Sequence, residues 1–271
     1  MEKMREQHAT EAKFAGMKLC EPTVRKTKLH PSYIYDLTVT PVGGYVATSS
    51  TTRIYDNKCQ LVKDLLQKFT YVTLTPDGEL LFTNKTNTIS VFSVDGTHKR
   101  DITCKAPAKL YGITTSPAGD LLVIDKATNS VLCVDPSTGE CTTLSKPGTF
   151  KNPEYVASTT NDVIVVSDHG ANCIKGLERD GSVAFTYGKK GRGRGELDSP
   201  CGVCTDNGNN IIVADRDNSR VHLLTPEGRF NGYLLEYKDG LHYPYSVAID
   251  QEGQLIVGDN IGQMFIVKYR K

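Results

Sequence analysis

The densest cationic run in the sequence is Lys189-Lys190-Gly191-Arg192-Gly193-Arg194. Lysines and arginines on a glycine-rich loop are suited to gripping phosphates. The chain holds thirteen tyrosines and no tryptophan. Five of them, Tyr35, Tyr71, Tyr111, Tyr155 and Tyr245, stand one or two positions before a short apolar run. Tyrosines beside cations suit base stacking with phosphates nearby. They suit a peptide equally, since Tyr and Arg dominate protein hot spots. Catalytic signatures are weak. Cys201-x-x-Cys204 is a lone CxxC, and a zinc site needs four ligands. His8, His30, His98, His169, His222 and His242 do not fall at equivalent places. No Gly-x-Ser-x-Gly nucleophile and no glycine-rich phosphate loop opening a helix is present. No catalytic residue, metal or cofactor is expected.

Composition narrows the classes. The 271 residues carry 32 basic and 31 acidic side chains, a formal net charge of +1. Any preference for nucleic acid therefore rests on charge distribution, not on total charge. No apolar run approaches the roughly 20 residues of a membrane helix, and the charged N-terminus does not read as a signal peptide. Eight scattered cysteines, most inside apolar runs, read as reduced thiols of a cytoplasmic protein.

The elements that position these residues repeat. An apolar residue is followed twelve positions later by a polar one: Leu37 and Ser49, Val72 and Asn84, Ile113 and Asp125, Val156 and Asp168, Val203 and Asp215, Val247 and Asp259. A turn and three or four apolar residues lie between each pair. Runs of Val, Ile, Thr and Tyr broken by Pro-x-Gly and Asp-Gly turns are short antiparallel strands. Six such units predict an all-β, six-bladed propeller over residues 20–271. A helical or disordered tail is expected over residues 1–19. The last unit stops after its third strand, so residues 23–29 are expected to add the fourth and close the ring. The polar landmarks resemble metal ligands one by one, but recurrence in every unit assigns them a structural task, bonding turn backbone.

The fifth unit, Gly188…Gly195-Glu196-Leu197…Pro200…Val203…Val213-Ala214-Asp215-x-x-Asn218-x-Arg220-Val221, resembles an NHL repeat. The whole arrangement resembles the C-terminal propellers of tripartite-motif NHL proteins. That resemblance implies the target-selecting part of a ubiquitin ligase, recruiting single-stranded RNA or protein. No RING-like zinc run is present, so any ligase activity rests with other parts of a longer protein. The alternative for a six-bladed propeller is a metal-dependent hydrolase or lyase.

In such a propeller the loops leading into the innermost strands share one face, the upper face, with the loops after the polar landmarks. That face is expected to be basic: Arg53, Lys85, Lys105, Lys126, His169, Lys189, Lys190, Arg192, Arg194 and Arg216 fall on it. Acids such as Glu79, Asp120, Glu140 and Asp206 fall on the other. The expected binding residues are these cations, Lys105 excepted, with Tyr35, Tyr71, Tyr111, Tyr155 and Tyr245. No membrane and no small-molecule substrate is expected.

Overall fold

The computed structural model describes residues 19–270. The expected tail over residues 1–19 lies, up to residue 18, outside the described residues. The first strand, β1 (Leu19–Lys28), serves the last blade. Blade one is β2 (Asp36–Val39), β3 (Tyr45–Thr48), β4 (Thr52–Tyr55) and β5 (Leu61–Asp64). Blade two is β6 (Tyr71–Leu74), β7 (Glu79–Thr83), β8 (Thr88–Ser93) and β9 (His98–Thr103). Blade three is β10 (Leu110–Thr115), β11 (Leu121–Asp125), β12 (Ser130–Val134) and β13 (Cys141–Thr143). Blade four is β14 (Pro153–Ser158), β15 (Ile164–Asp168), β16 (Cys173–Leu177) and β17 (Val183–Tyr187). Blade five is β18 (Pro200–Thr205), β19 (Ile211–Asp215), β20 (Arg220–Leu224) and β21 (Phe230–Leu235). Blade six is β22 (Ser246–Ile249), β23 (Leu255–Gly258), β24 (Gln263–Arg270) and β1.

Local sequence explains the hairpins. Thr40-Pro-Val-Gly43, Thr75-Pro-Asp-Gly78 and Ser116-Pro-Ala-Gly119 join the first two strands of blades one to three. In each, the glycine N–H donates back to the carbonyl of the Thr or Ser, at 2.9, 2.9 and 3.0 Å. Proline presets φ at the second turn position. The hydroxyl of the same Thr or Ser accepts from the residue after the glycine.

Packing explains the runs that do not alternate. Strands β11, β15 and β19 are buried at all five positions. A second strand is covered on both faces by neighbouring blades, so it reads as a continuous apolar run. The innermost strands contact one another around the ring, β2 with β6, β6 with β10, and on to β22 with β2. The closure matches its expectation. Strand β1 pairs antiparallel with β24, Thr23 opposite Lys268 and Lys28 opposite Gln263. The edge of β24 is thereby covered along Thr23–Lys28.

Two contacts fasten the chain's end. Tyr269 Oη donates to Asp206 Oδ2 at 3.0 Å, and Arg270 forms an ion pair with the same carboxylate. Both tie the last strand to the fifth blade. Among the described residues, no helix is long and apolar enough to cross a membrane.

Candidate target-binding face

Three of the four landmark carboxylates bind the backbone of the loop that leads into their own blade, while Asp259 Oδ1 accepts from Ile261 N and Gln263 N in the turn that follows it. Asp125 Oδ1 accepts from Lys109 N at 2.8 Å, Asp168 from Lys151 N and Asn152 N at 2.9 Å each, and Asp215 Oδ1 from Asp198 N at 2.7 Å. These are the structural bonds the repetition predicts, and they fix the upper-face loops. Among the described residues no group of three or more His, Cys, Asp or Glu is gathered to hold a metal ion.

At the axis the tyrosines form a plug. Tyr35 of blade one and Tyr155 of blade four sit opposite each other across the ring, yet their rings stack at 6.3 Å. Tyr155 Oη donates to the Tyr35 carbonyl at 2.7 Å. Tyr35 also stacks on Tyr245 at 5.5 Å, and Tyr71 meets Tyr111 at 5.5 Å and Tyr155 at 5.1 Å. The hub is Glu154. Its Oε1 accepts from Tyr35 Oη at 2.6 Å and from Tyr71 Oη at 3.0 Å. Gly112 lets this strand come close: a Cβ there would lie 2.5 Å from the Glu154 carbonyl oxygen. Below the plug lies a cavity of about 220 Å³ lined by the innermost strands of all six blades. Asp36 stands on its wall, and burial pushes its carboxyl up to about 7.

The strand alternation decides which tyrosines reach solvent. Tyr71 and Tyr155, one position before the apolar residue, are 0% and 4% exposed. They belong to the plug and offer no ring to a partner, contrary to the expectation that placed them on the binding face. Tyr35, Tyr111 and Tyr245, two positions before it, are half-buried above them.

Cations cover the plug. Lys85 lies over the rings of Tyr35 and Tyr111 at 5.7 and 5.3 Å. Lys126 lies over Tyr111 at 5.1 Å and donates to the Pro153 carbonyl. Arg216 lies over Tyr245 at 5.4 Å and pairs with Asp217 at 2.8 Å. His169 Nδ1 is 4.0 Å from Glu154 Oε2. Burial lowers the His169 pKa and Glu154 opposes that shift.

The basic run sits apart, on the rim of blade five. It closes on itself: Leu197 N donates to the Lys189 carbonyl at 2.8 Å and Gly191 N to the Leu197 carbonyl at 3.1 Å. Arg220 holds it from beneath. Its guanidinium donates to the carbonyls of Arg192, Gly193 and Glu196 at 2.8, 3.2 and 2.9 Å. The same side chain bonds Asp215 Oδ2 at 2.7 Å, which also receives Asn218 Nδ2 and His222 Nε2. Asn218 donates to the Gly191 carbonyl as well. The side chains of Lys189 and Lys190 are 78% and 73% exposed, with loose pairs to Glu196 and Asp198 at 3.5 and 3.8 Å. Arg192 is exposed, and Arg194 packs over Phe230 at 5.1 Å.

Two cations leave the expected grouping. Arg53 lies within β4 and pairs across to Asp64 of β5 at 2.9 Å, away from both the plug and the rim loop. Lys105 pairs with Glu140, placed from sequence on the opposite face, at 2.6 Å. Sheets twist, so the outer strands turn toward the neighbouring blade and the two faces are no longer separated at the rim. The sequence reading missed Glu154, Arg220 and the exposed Tyr237 and Tyr243. Arg220 was legible only as a repeat position, and Glu154 only as the residue before a tyrosine.

Residues 197–222, from the end of the basic loop into β20, match the NHL repeat family. The chain is a six-bladed propeller that carries an NHL repeat in its fifth blade. It resembles the C-terminal domains of tripartite-motif NHL proteins. Protein lin-41 of Caenorhabditis elegans is 48% identical over 46 residues, 17% of this chain and 4% of that protein. The E3 ubiquitin-protein ligase TRIM71 of Xenopus tropicalis is 37% identical over 71 residues, 26% of this chain and 8% of that protein. The matches thus span less than a tenth of either relative. Among solved structures, a virginiamycin B lyase from Staphylococcus aureus superposes with a TM-score of 0.66 at 15% identity, covering 92% of this chain and 99% of that one. A gluconolactonase from Xanthomonas campestris gives 0.72 at 13% identity, covering 91% and 90%. Likeness at these identities shows a shared propeller fold alone.

Proposed function

We propose that this NHL propeller is a binding module that recruits single-stranded RNA through its upper face, and that it serves as the target-selecting part of a tripartite-motif-like ubiquitin ligase. The observation that carries the RNA reading is the basic rim loop. Its backbone is fixed by Arg220 and Asn218, while the Lys189 and Lys190 side chains project into solvent. A loop already held in shape loses little entropy on binding. Clustered cations meet phosphates without reading sequence. The ligase role rests on the likeness to TRIM71, and the partners implied by that likeness are RNA or protein. No catalytic role is proposed for this chain.

The test is a gel-shift series with a random single-stranded RNA pool at low salt, beside pull-downs before and after nuclease treatment. RNA retained at low salt and lost as salt rises supports this reading. Protein partners that survive nuclease, with no RNA bound at any salt, overturn it in favour of a protein target.

A further inference from the structure

Beside the rim loop, between blades five and six, the upper face holds a groove of about 460 Å³. That lies within the range of pockets that take small ligands, about 300–1,000 Å³. Its walls are Arg192, Ser219, Arg220, Tyr237, Lys238 and Tyr243, with Asp217 and Glu236 among them. Tyr237 and Tyr243 are 65% and 46% exposed. Neither belongs to the tyrosine plug. Tyr243 is held at φ +45°, a left-handed conformation that bulky residues rarely adopt, and its N–H donates to Ser219 Oγ at 3.2 Å. The backbone thus carries strain at the residue that presents a ring to the groove.

The charges are arranged in two zones. Inside, the acids are occupied: Asp217 pairs with Arg216, and Glu236 pairs with Lys238. Arg220 is spent on Asp215 and on the loop carbonyls. At the edge stand exposed Arg192 and, on the same loop, Lys189 and Lys190. A nearly neutral aromatic slot bordered by cations matches one nucleotide, with a neutral flat base inside and charged phosphates at the rim.

We propose that the groove takes a single unpaired nucleobase, packed against Tyr237 and Tyr243, with the adjoining phosphates on Arg192 and the Lys189–Lys190 rim. This rests on the RNA reading above. It assigns the tyrosines a role separate from that of the loop cations.

The experiment uses the chain with two probes: a fluorescein-labelled random 12-nucleotide RNA and inorganic polyphosphate. The variant is Tyr237→Ser with Tyr243→Asn, since Asn tolerates the left-handed backbone. Loss of base stacking is expected to weaken RNA binding by roughly tenfold or more. Polyphosphate affinity and the salt dependence are expected to stay as they are. The Tyr237→Phe, Tyr243→Phe variant keeps the rings and restores RNA affinity. Ultraviolet cross-linking is expected to attach RNA to the peptide that carries Tyr237 and Tyr243. Unchanged RNA affinity in the Ser/Asn variant overturns the base site and leaves the RNA reading standing. Parallel loss of RNA and polyphosphate also overturns it, because the tyrosines then act through the loop. Wild-type protein that binds neither probe at low salt overturns the RNA reading and the base site together.

Discussion

Arg220 donates from its guanidinium to the main-chain carbonyl of Arg192 at 2.8 Å, so a mostly buried arginine sets where an exposed one is presented. The same guanidinium is anchored on Asp215, whose carboxylate is fully buried. The architecture of the repeat and the basic loop therefore meet in one side chain.

Replacing Arg220 with Ala is expected to cost roughly 3–5 kcal/mol, because it leaves a buried carboxylate short of its cation. The loop should loosen at the same time, seen as faster amide exchange at Gly191 and Gly193. Arg220→Lys is expected to rescue little, since lysine lacks the planar fork that reaches several carbonyls. Denaturant unfolding with hydrogen exchange checks both effects.

Glu154→Ala is expected to destabilise the plug by roughly 1–3 kcal/mol, the cost of leaving a buried hydroxyl without its acceptor. Tyr35 and Tyr71 both donate to this carboxylate. Glu154→Gln keeps an acceptor and should lose less. Removing the charge also makes the axis more positive, so RNA affinity should hold or rise in the Gln variant. Thermal unfolding and anisotropy separate the two consequences.

Two buried groups impose opposite pH dependences. Burial lowers the pKa of His222, against the pull of Asp215. Its folded value lies below the unfolded 6.5, so the unfolded chain binds more protons and stability falls as pH drops through and below 6.5. His222→Gln should flatten that decline. Asp36 is raised to about 7. Its contribution is complete below the unfolded value of 3.8 and is lost as pH rises toward 7. Carboxyl NMR titration of Asp36 is expected to show a midpoint near 7, and a midpoint in the ordinary carboxylate range contradicts the burial argument.

Ring closure gives a fourth outcome. Removing residues up to 28 deletes β1, the partner of β24 along Thr23–Lys28. The last blade is then three-stranded with an open edge. Loss of a single cooperative transition and concentration-dependent aggregation are expected, measured by calorimetry and light scattering.

Period and turn chemistry made the fold legible. The twelve-residue spacing, the Pro-x-Gly turns and the unpaired last unit prescribe six blades and their closure without any tertiary knowledge. The site was legible in part. Lys85, Lys126, His169, Arg216 and the tyrosines do converge on the axis, as loops of one face must. Exposure was not legible, because one position along a strand separates buried Tyr71 from half-buried Tyr111, and bulges shift that register at blades three to five. Glu154 was hidden because its importance comes from two tyrosines in other blades, contacts that local sequence does not encode. Lys105 meets Glu140 of the other face because blade twist mixes the faces at the rim, and Arg53 is taken up by its pair with Asp64 in the neighbouring strand.

The most direct test of the central claim is the salt dependence of RNA binding in the wild type and in Lys189→Gln, Lys190→Gln, Arg192→Gln. Arg194 is left in place because it packs on Phe230. Each phosphate contact on a single strand contributes about 0.7 to the slope of log affinity against log salt. The triple variant is expected to bind more weakly and to show a slope shallower by about 2. An unchanged slope and affinity in a folded triple variant contradicts the assignment of this loop as the phosphate-binding element.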